Sequence, residues 1–445
     1  MNRSVQEAIF SIKFVRWMVT AALLCRGLVF LFVGNQYKGM NDICRVVRIA
    51  DPGPIRRIAH GKVIRTVNAI KSSGRNSLVE SYRSNQVSSA CAASYSIAGP
   101  GTRDIFRDLI VLKQARQDEK GVILLKYART FDAVVALFDL SRLMERYLFV
   151  LEPCWAGYCD PSILMFIVHG HPVVVQCFTE EDHQFITEIG PPLIPIRLGP
   201  ADWVDADLFT PVQVDTKPYD LVMVANWAPH KRHALLFKAL NKIKDRTLRV
   251  LLVGFPWGGR TADDIRREAY KVNNELVKID IIEQVPQSDL AGFLGRCKIF
   301  LFLSKKEGDN KALVEAMFAN VPAIVFEKTV GGARYRINPK TGMFSTDEEL
   351  AENILYMLER HGDFSPREWA LQHTGSSVST HRLNDTIRQV AINSGVNYTE
   401  DLVEKTNAPN LTYKDVTCRG IFHVDYEFIL SCRIERGLPY RRPLE

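Results

Sequence analysis

The chain has 445 residues, 47% hydrophobic and 24% charged, enough for two or three domains with separate apolar cores. Its formal charge of +7 is spread through the sequence apart from Arg56-Arg57 and Arg441-Arg442, which argues against nucleic acid as a partner and for an anionic ligand or a membrane surface. Nine cysteines at irregular spacing form neither a disulfide framework nor a CxxC zinc pattern, and fit a reducing compartment.

Phe14 to Gly34 is apolar enough for a membrane segment, with Arg3, Lys13 and Arg16 at its start as a cytoplasmic flank would have. Arg26 interrupts it. An arginine near a bilayer centre costs a few kcal/mol on insertion scales, and Lys38, Arg45 and Arg48 follow, so flanking charge sets no orientation. Residues 1–40 therefore have three readings: a signal anchor or interfacial helix, a core helix of the first domain, or a stretch ahead of a true start at Met40. A helix lying in the interface keeps both arginines at the headgroups, so the expectation is a cytoplasmic protein attached peripherally to the inner face of a membrane.

A first domain is expected over 41–200. Gly53-Pro54, the Ser-rich piece Ser72 to Ser94, and Gly99-Pro100-Gly101 read as loops. Val122 to Leu125, Leu148 to Leu151, Pro172 to Val175 and Leu193 to Ile196 read as strands, alternating with helical stretches such as Phe131 to Arg146. Glu152 to Tyr158 and Phe178 to His183 follow the second and third strands. Trp155 and Tyr158 beside a glycine suit a sugar or lipid-linked acceptor, or equally ordinary loop packing. Asp205-Ala206-Asp207 spells DxD in a polar, proline-bounded connector, where a metal site at a buried strand end is not expected.

The second domain is expected over 212–375. Leu221 to Val224, Leu248 to Val253, Val277 to Ile282, Ile299 to Leu303 and Ala323 to Phe326 read as strands separated by turns and helices, the pattern of a doubly wound sheet. Between the last two, Ala312, Leu313, Ala316 and Met317 fall at helical spacing, ended by Asn320 and Pro322. Glu307 lies in the loop leaving the strand and Glu315 eight residues on, within the helix. A loop outside a strand's carboxyl end, backed by a helix amino terminus, binds phosphorylated ligands; the bland alternative is two carboxylates favoured by the helix dipole. Leu350 to Leu358 reads as a helix with apolar Leu350, Ile354, Leu355 and Leu358; over 376–445 a further helix is expected at Ser376 to Ile392, and Gly420 to Cys432 is apolar enough to dock. Asn397-Tyr398-Thr399 and Asn410-Leu411-Thr412 spell glycosylation sequons, read here as incidental.

Glu307-Gly308 followed by Ala312-Leu313-Val314-Glu315-Ala316-Met317 resembles the E-x7-E signature of the retaining glycosyltransferases of family 4, with Asp309, Asn310 and Lys311 where the commonest form has an aromatic residue and a glycine. Further landmarks follow in order: Gly199 to Pro211 is similar to the family's interdomain segment, Val285 to Leu290 to its V-P-x-x-E-L turn, Val330-Gly331-Gly332 to its V-G-G, and Thr341-Gly342 to a later turn. The resemblance implies an α/β protein of the GT-B fold, two Rossmann-like doubly wound domains facing across a cleft. It also implies that Glu307 reaches hydroxyls of the donor sugar, that Glu315 reaches the ribose, and that His183 stands for the family's first-domain histidine. In the family an arginine and a lysine grip the donor diphosphate. Lys231 matches the lysine, and Asn226 stands in the arginine's place, with Arg232 as a substitute. The glycine-rich loop of the first domain has only Gly99-Pro100-Gly101 as a counterpart.

The expectation is a retaining transfer of a sugar from a nucleotide donor to a glycan or lipid-linked acceptor. Lys231, Arg232 or Lys311 and the backbone N–H groups of Gly308, Asp309 and Asn310 would stabilise the diphosphate leaving group, so neither a metal nor another cofactor is needed. The rivals are a nucleotide-sugar-binding protein that has lost activity and a GT-B sugar-nucleotide epimerase.

Overall fold

Runs of β-branched and aliphatic residues build two large sheets, one all parallel and one parallel but for an edge strand, each wrapped by helices. The computed structural model describes residues 13–95, 104–153, 159–168, 170–213, 217–272, 274–407 and 410–434. Gly99-Pro100-Gly101, Trp155 and Tyr158 lie outside the described residues. Two compact units form: residues 1–199, 380–405 and 410–445 make the first, and 200–379 with 406–409 the second.

Among the described residues the first unit begins with five helices, α1 (Lys13–Phe32), α2 (Gln36–Ile49), α3 (Pro54–Ser73), α4 (Ser77–Arg83) and α5 (Gln86–Ser94). The Ser-rich stretch read as loop is thus mostly helical. Its punctuation is capping: Pro54 stands at the first turn of α3, Gly74 closes it in the left-handed conformation, and the Asn76 and Asn85 side chains cap α4 and α5. Met40 is fully buried within α2. Tyr37 N–H donates to Ser81 Oγ at 3.1 Å, and Arg48 pairs with Asp160 at 2.6 Å, which ties α2 to α4 and to the sheet layer.

The sheet of this unit runs β1 (Leu109–Lys113), β2 (Gly121–Lys126), β3 (Tyr147–Glu152), β4 (Val173–Gln176), β5 (Leu193–Ile196), in that spatial order. β2 to β5 are parallel, while β1, not foreseen in the sequence, adds antiparallel to β2. The stretch expected as one helix is two, α6 (Ala128–Leu137) and α7 (Leu140–Arg146), because Asp139 caps a new helix by accepting from Arg142 N–H. Then come α8 (Pro161–Leu164) and α9 (Glu180–Ile189). Glu152, at the end of β3, is fully buried against Lys405 at 2.7 Å, a structural pairing.

The second unit contains β6 (Tyr219–Val224), α10 (His233–Leu240), β7 (Leu248–Gly254), α11 (Ala262–Ala269), β8 (Val277–Glu283), α12 (Gln287–Gly295), β9 (Cys297–Phe302), α13 (Lys311–Phe318), β10 (Ala323–Phe326), β11 (Gly342–Ser345), α14 (Leu350–Arg360) and α15 (Pro366–His373). Its six strands are all parallel in the order β11-β10-β9-β6-β7-β8. Counted from β6 this is 3-2-1-4-5-6, the doubly wound order, and Thr341-Gly342, read as a turn, begins the sixth strand. α16 (Ser376–Asn393) carries the chain back into the first unit, followed by β12 (Lys405–Asn407), β13 (Leu411–Tyr413), α17 (Cys418–Ile421) and α18 (His423–Ser431). Asp425 and Tyr426 of α18 bond the backbone of Ala115 and Val111, so this apolar end docks on β1.

Candidate active site

In a 3-2-1-4-5-6 sheet the strand order reverses between the first and fourth strands, and the connections leave for opposite faces there. The crevice outside the carboxyl ends of those two strands is where doubly wound sheets take ligands. In the second unit these strands are β6 and β9, paired directly. The loop after β6 carries Asn226, Lys231 and Arg232; the loop after β9 carries Glu307 to Asn310.

The second loop is held from behind by the loop after β10. Glu307 N–H donates to Val330 O at 2.9 Å and Gly332 N–H to Gly308 O at 2.8 Å. Gly331 lies between them at φ 130°, and a Cβ there would stand 2.1 Å from the Glu307 carbonyl oxygen. Only glycine meets both demands.

This brace presents Glu307 to the crevice. Lys231 forms an ion pair with Glu307 Oε1, Ser304 Oγ donates to the same oxygen, and Asn310 Nδ2 donates to Oε2 at 3.0 Å. Both side chains of the ion pair are largely buried, at 11% and 12% exposure. Residues 76 apart in sequence are thus brought together at the strand reversal. Asn310 also caps α13, accepting from Leu313 N–H at 2.9 Å, so the helix start and the carboxylate are oriented by one side chain.

One turn into α13, Glu315 is buried. Gln287, at the start of α12, donates from Nε2 to Glu315 Oε1 at 3.0 Å. Burial pushes the Glu315 carboxyl above the usual carboxylate range, opposed by Lys311 and by Gln287. Gln287 Oε1 is itself buried without a hydrogen-bond partner. Glu315 and Gln287 therefore offer a pair of acceptors, suited to a ligand that brings hydroxyl donors. Lys311 Nζ, one turn away, donates to Asn407 O at 2.8 Å.

The other expected residues divide. Asn226 Oδ1 accepts from Ala228 N–H at 3.2 Å and shapes the loop after β6. Arg232, at φ 67°, is turned onto Asp347 and the Leu303 carbonyl, with its guanidinium 4.5 Å from the Phe326 ring centre. It braces the two loops rather than standing open in the crevice. The Asp309 carboxylate is fully buried and held by both Arg336 Nη2 contacts, at 2.8 and 3.0 Å, and by Ala201 N–H at 2.9 Å, so Asp309 can offer a ligand only its backbone. Arg336 also reaches Asp202 at 2.8 Å, whose carboxylate takes a further bond from Thr374 Oγ1 at 2.7 Å. Burial alone would lower the Arg336 pKa; Asp202 and then Asp309 overcome it and raise it. His183 lies on α9 in the first unit, half-buried, 3.5 Å from Thr187 Oγ1, its pKa lowered by burial and then by Arg197. The connector DxD is an Asp turn, with Asp207 N–H donating to Asp205 Oδ1 at 3.0 Å.

Three residues at this site gave no signal of their own in the sequence: Ser304, Gln287 and His233. Both ring nitrogens of His233, at the start of α10, are buried without partners, and its ring lies 5.4 Å from that of Trp227. Burial, then Arg260 and Lys231, lower its pKa to about 3. A glutamine inside the V-P-x-x-E-L-like turn was the nearest available clue for Gln287.

Comparison with known proteins adds the following. A search of curated protein sequences gives no significant match. Solved structures similar to this one include HepE of Anabaena in complex with UDP, at 16% identity over 60% of this chain and 78% of that one, TM-score 0.46. Sucrose-phosphate synthase of Thermosynechococcus elongatus shares 16% identity over 61% and 74%, TM-score 0.47. A glycosyltransferase of Rickettsia africae shares 17% over 61% and 77%, TM-score 0.48. Residues 205–368, which hold all of the crevice residues, match the family described as glycosyl transferases group 1.

Proposed function

We propose that the protein is a retaining glycosyltransferase that takes a sugar from a nucleotide donor and passes it to a glycan or lipid-linked acceptor. The observation that carries this reading is the division of labour along one loop and helix: Glu307 held by Lys231, Ser304 and Asn310 at the strand reversal, and Glu315 buried beside the unpartnered Gln287 Oε1. In this reading the ribose hydroxyls donate to Glu315 and Gln287, which relieves the orphaned oxygen. Sugar hydroxyls donate to Glu307, and Lys231 is then free to face the diphosphate.

As the glycosidic bond breaks, negative charge collects on the departing diphosphate. Lys231 and the backbone N–H groups at the start of α13 stabilise it, which is the work a divalent cation does elsewhere. No metal or other cofactor is assigned, and among the described residues no cluster of metal-ligating side chains forms. The family 4 likeness belongs to the same reading.

A second reading is favoured by one observation. Asn226 replaces the expected arginine and Arg232 is committed to Asp347, which leaves Lys231 as the single side-chain cation of the clamp and fits a nucleotide-sugar-binding protein without turnover. Screening nucleotide sugars by thermal shift, then assaying hydrolysis and transfer of the best binder, separates the two. Transfer with the donor's anomeric configuration kept supports the enzyme; binding with neither hydrolysis nor transfer supports the second reading.

A further inference from the structure

α1 is apolar around most of its circumference, yet among the described residues only one side of it is covered. Thr20, Leu23, Leu24 and Gly27 are buried and face α2, where the two helices approach so closely that a Cβ at Gly27 would stand 3.0 Å from the Gly39 carbonyl oxygen. On the opposite side Phe14, Trp17, Met18, Cys25, Leu28, Val29 and Phe32 follow one another at helical spacing, all exposed, with Phe14 at 65% and Phe32 at 91%. This uncovered stripe runs the whole helix, about 30 Å for twenty residues at the usual rise, far more than the scattered apolar residues of an ordinary surface.

Arg26 does not break the stripe. Its guanidinium turns to the edge and makes a two-pronged pair with Asp42 of α2, at 2.6 and 2.7 Å, while Asp42 is only 3% exposed. The charge that argues against a membrane segment in the sequence is thus neutralised on the protein side. Arg16 likewise pairs with Asp51 at 3.4 Å. Between residues 8 and 41 there is no Asp or Glu, whereas Lys13, Arg16, Arg26 and Lys38 are present. With Arg16 and Arg26 paired to Asp51 and Asp42, the exposed Lys13 and Lys38 flank an apolar stripe that has aromatic residues near both ends, which complements an anionic lipid surface.

We propose that α1 lies in the plane of an anionic lipid bilayer, its Phe14-to-Phe32 stripe inserted among the acyl chains and its other side kept on α2. A transmembrane arrangement would require α1 to abandon the close Gly27–Gly39 contact and the Arg26–Asp42 pair, and α2 cannot follow it because Tyr37 and Arg48 bind it to the rest of the first unit. The inference stands on the first unit alone and does not depend on the nucleotide-sugar reading.

The test is flotation of the full chain with phosphatidylcholine vesicles, with and without phosphatidylglycerol. The wild type should float with the anionic vesicles and be released by alkaline carbonate. The triple variant Phe14→Ser/Trp17→Ser/Phe32→Ser should lose at least about tenfold in lipid partitioning with an unchanged circular dichroism spectrum, since these side chains point away from the protein. Val29→Asp, a single charge within the stripe, should weaken binding in the same sense. A wild type that stays in the aqueous phase with both vesicles overturns the proposal. Carbonate-resistant binding overturns it in favour of a span, and a dimer that the triple variant dissociates, with no vesicle binding, overturns it in favour of a second copy of the chain.

Discussion

The loop and helix from Glu307 to Glu315 carry two kinds of buried carboxylate, and their contrast separates scaffold from site. Asp309 has every oxygen engaged: Arg336 takes both, Ala201 N–H adds a third bond, and Asp202 shares the same guanidinium with Thr374 as its second partner. The Asp309 oxygens await no ligand, and the open polar atom of the cluster is a donor, Arg336 Nε, buried without a hydrogen-bond partner. Glu315, two turns along, sits beside an acceptor with no donor, and Glu307 holds a lysine that a phosphate would attract. Carboxylate oxygens that are all engaged fix the loop; an acceptor without a donor, Gln287 Oε1 beside Glu315, is where hydroxyl donors of a ligand can complete the structure.

The contrast can be broken most severely at Arg336. Arg336→Ala leaves Asp202 and Asp309 buried without their cation, and stability should fall by about 3–5 kcal/mol, read by urea or thermal unfolding. At Glu307 the loss should appear in chemistry. Glu307→Gln keeps the size and the Asn310 contact but gives up the Lys231 ion pair, and turnover should drop by about a hundredfold with nucleoside diphosphate affinity changed far less. Glu315→Gln should do the reverse, weakening nucleotide binding by about tenfold, the worth of a hydrogen bond to a charged acceptor. Equal, small effects from both would remove the distinction.

His233 sharpens the same comparison through pH. Its folded pKa of about 3 lies below the ordinary histidine value, so the unfolded chain binds a proton that the folded protein refuses as pH falls through about 6.5. Stability should therefore decline on acidification below that point, by about 1 kcal/mol per pH unit from this group. His233→Phe, which keeps the ring against Trp227, should flatten the decline in a pH series of unfolding curves.

Strands β2 to β10 were legible, most of them as apolar runs of strand length between turn residues, as in Val122 to Leu125 or Ile299 to Leu303, whereas β1 and β11 were not. Residues 54 to 94 were not, because glycine, proline and asparagine at helix ends look like loop residues when the helix faces between them are weakly patterned, as at Gln86–Ser94. Glu307, Glu315 and Lys231 could be picked out through a resemblance, and spacing alone left them as helix-start charges. The Arg336–Asp202 pair spans 134 residues and has no local period to betray it. Gln287 as an unpartnered acceptor is a fact of three dimensions, visible only once α12 and α13 are side by side.

Calorimetric titration of the wild type and Glu315→Gln with UDP, GDP and ADP in turn, all in excess chelator, tests the central claim most directly. The site as described predicts that at least one nucleoside diphosphate binds the wild type without a divalent cation and binds the variant about tenfold more weakly. Binding that requires added magnesium or manganese, or that is the same in both proteins, would contradict it.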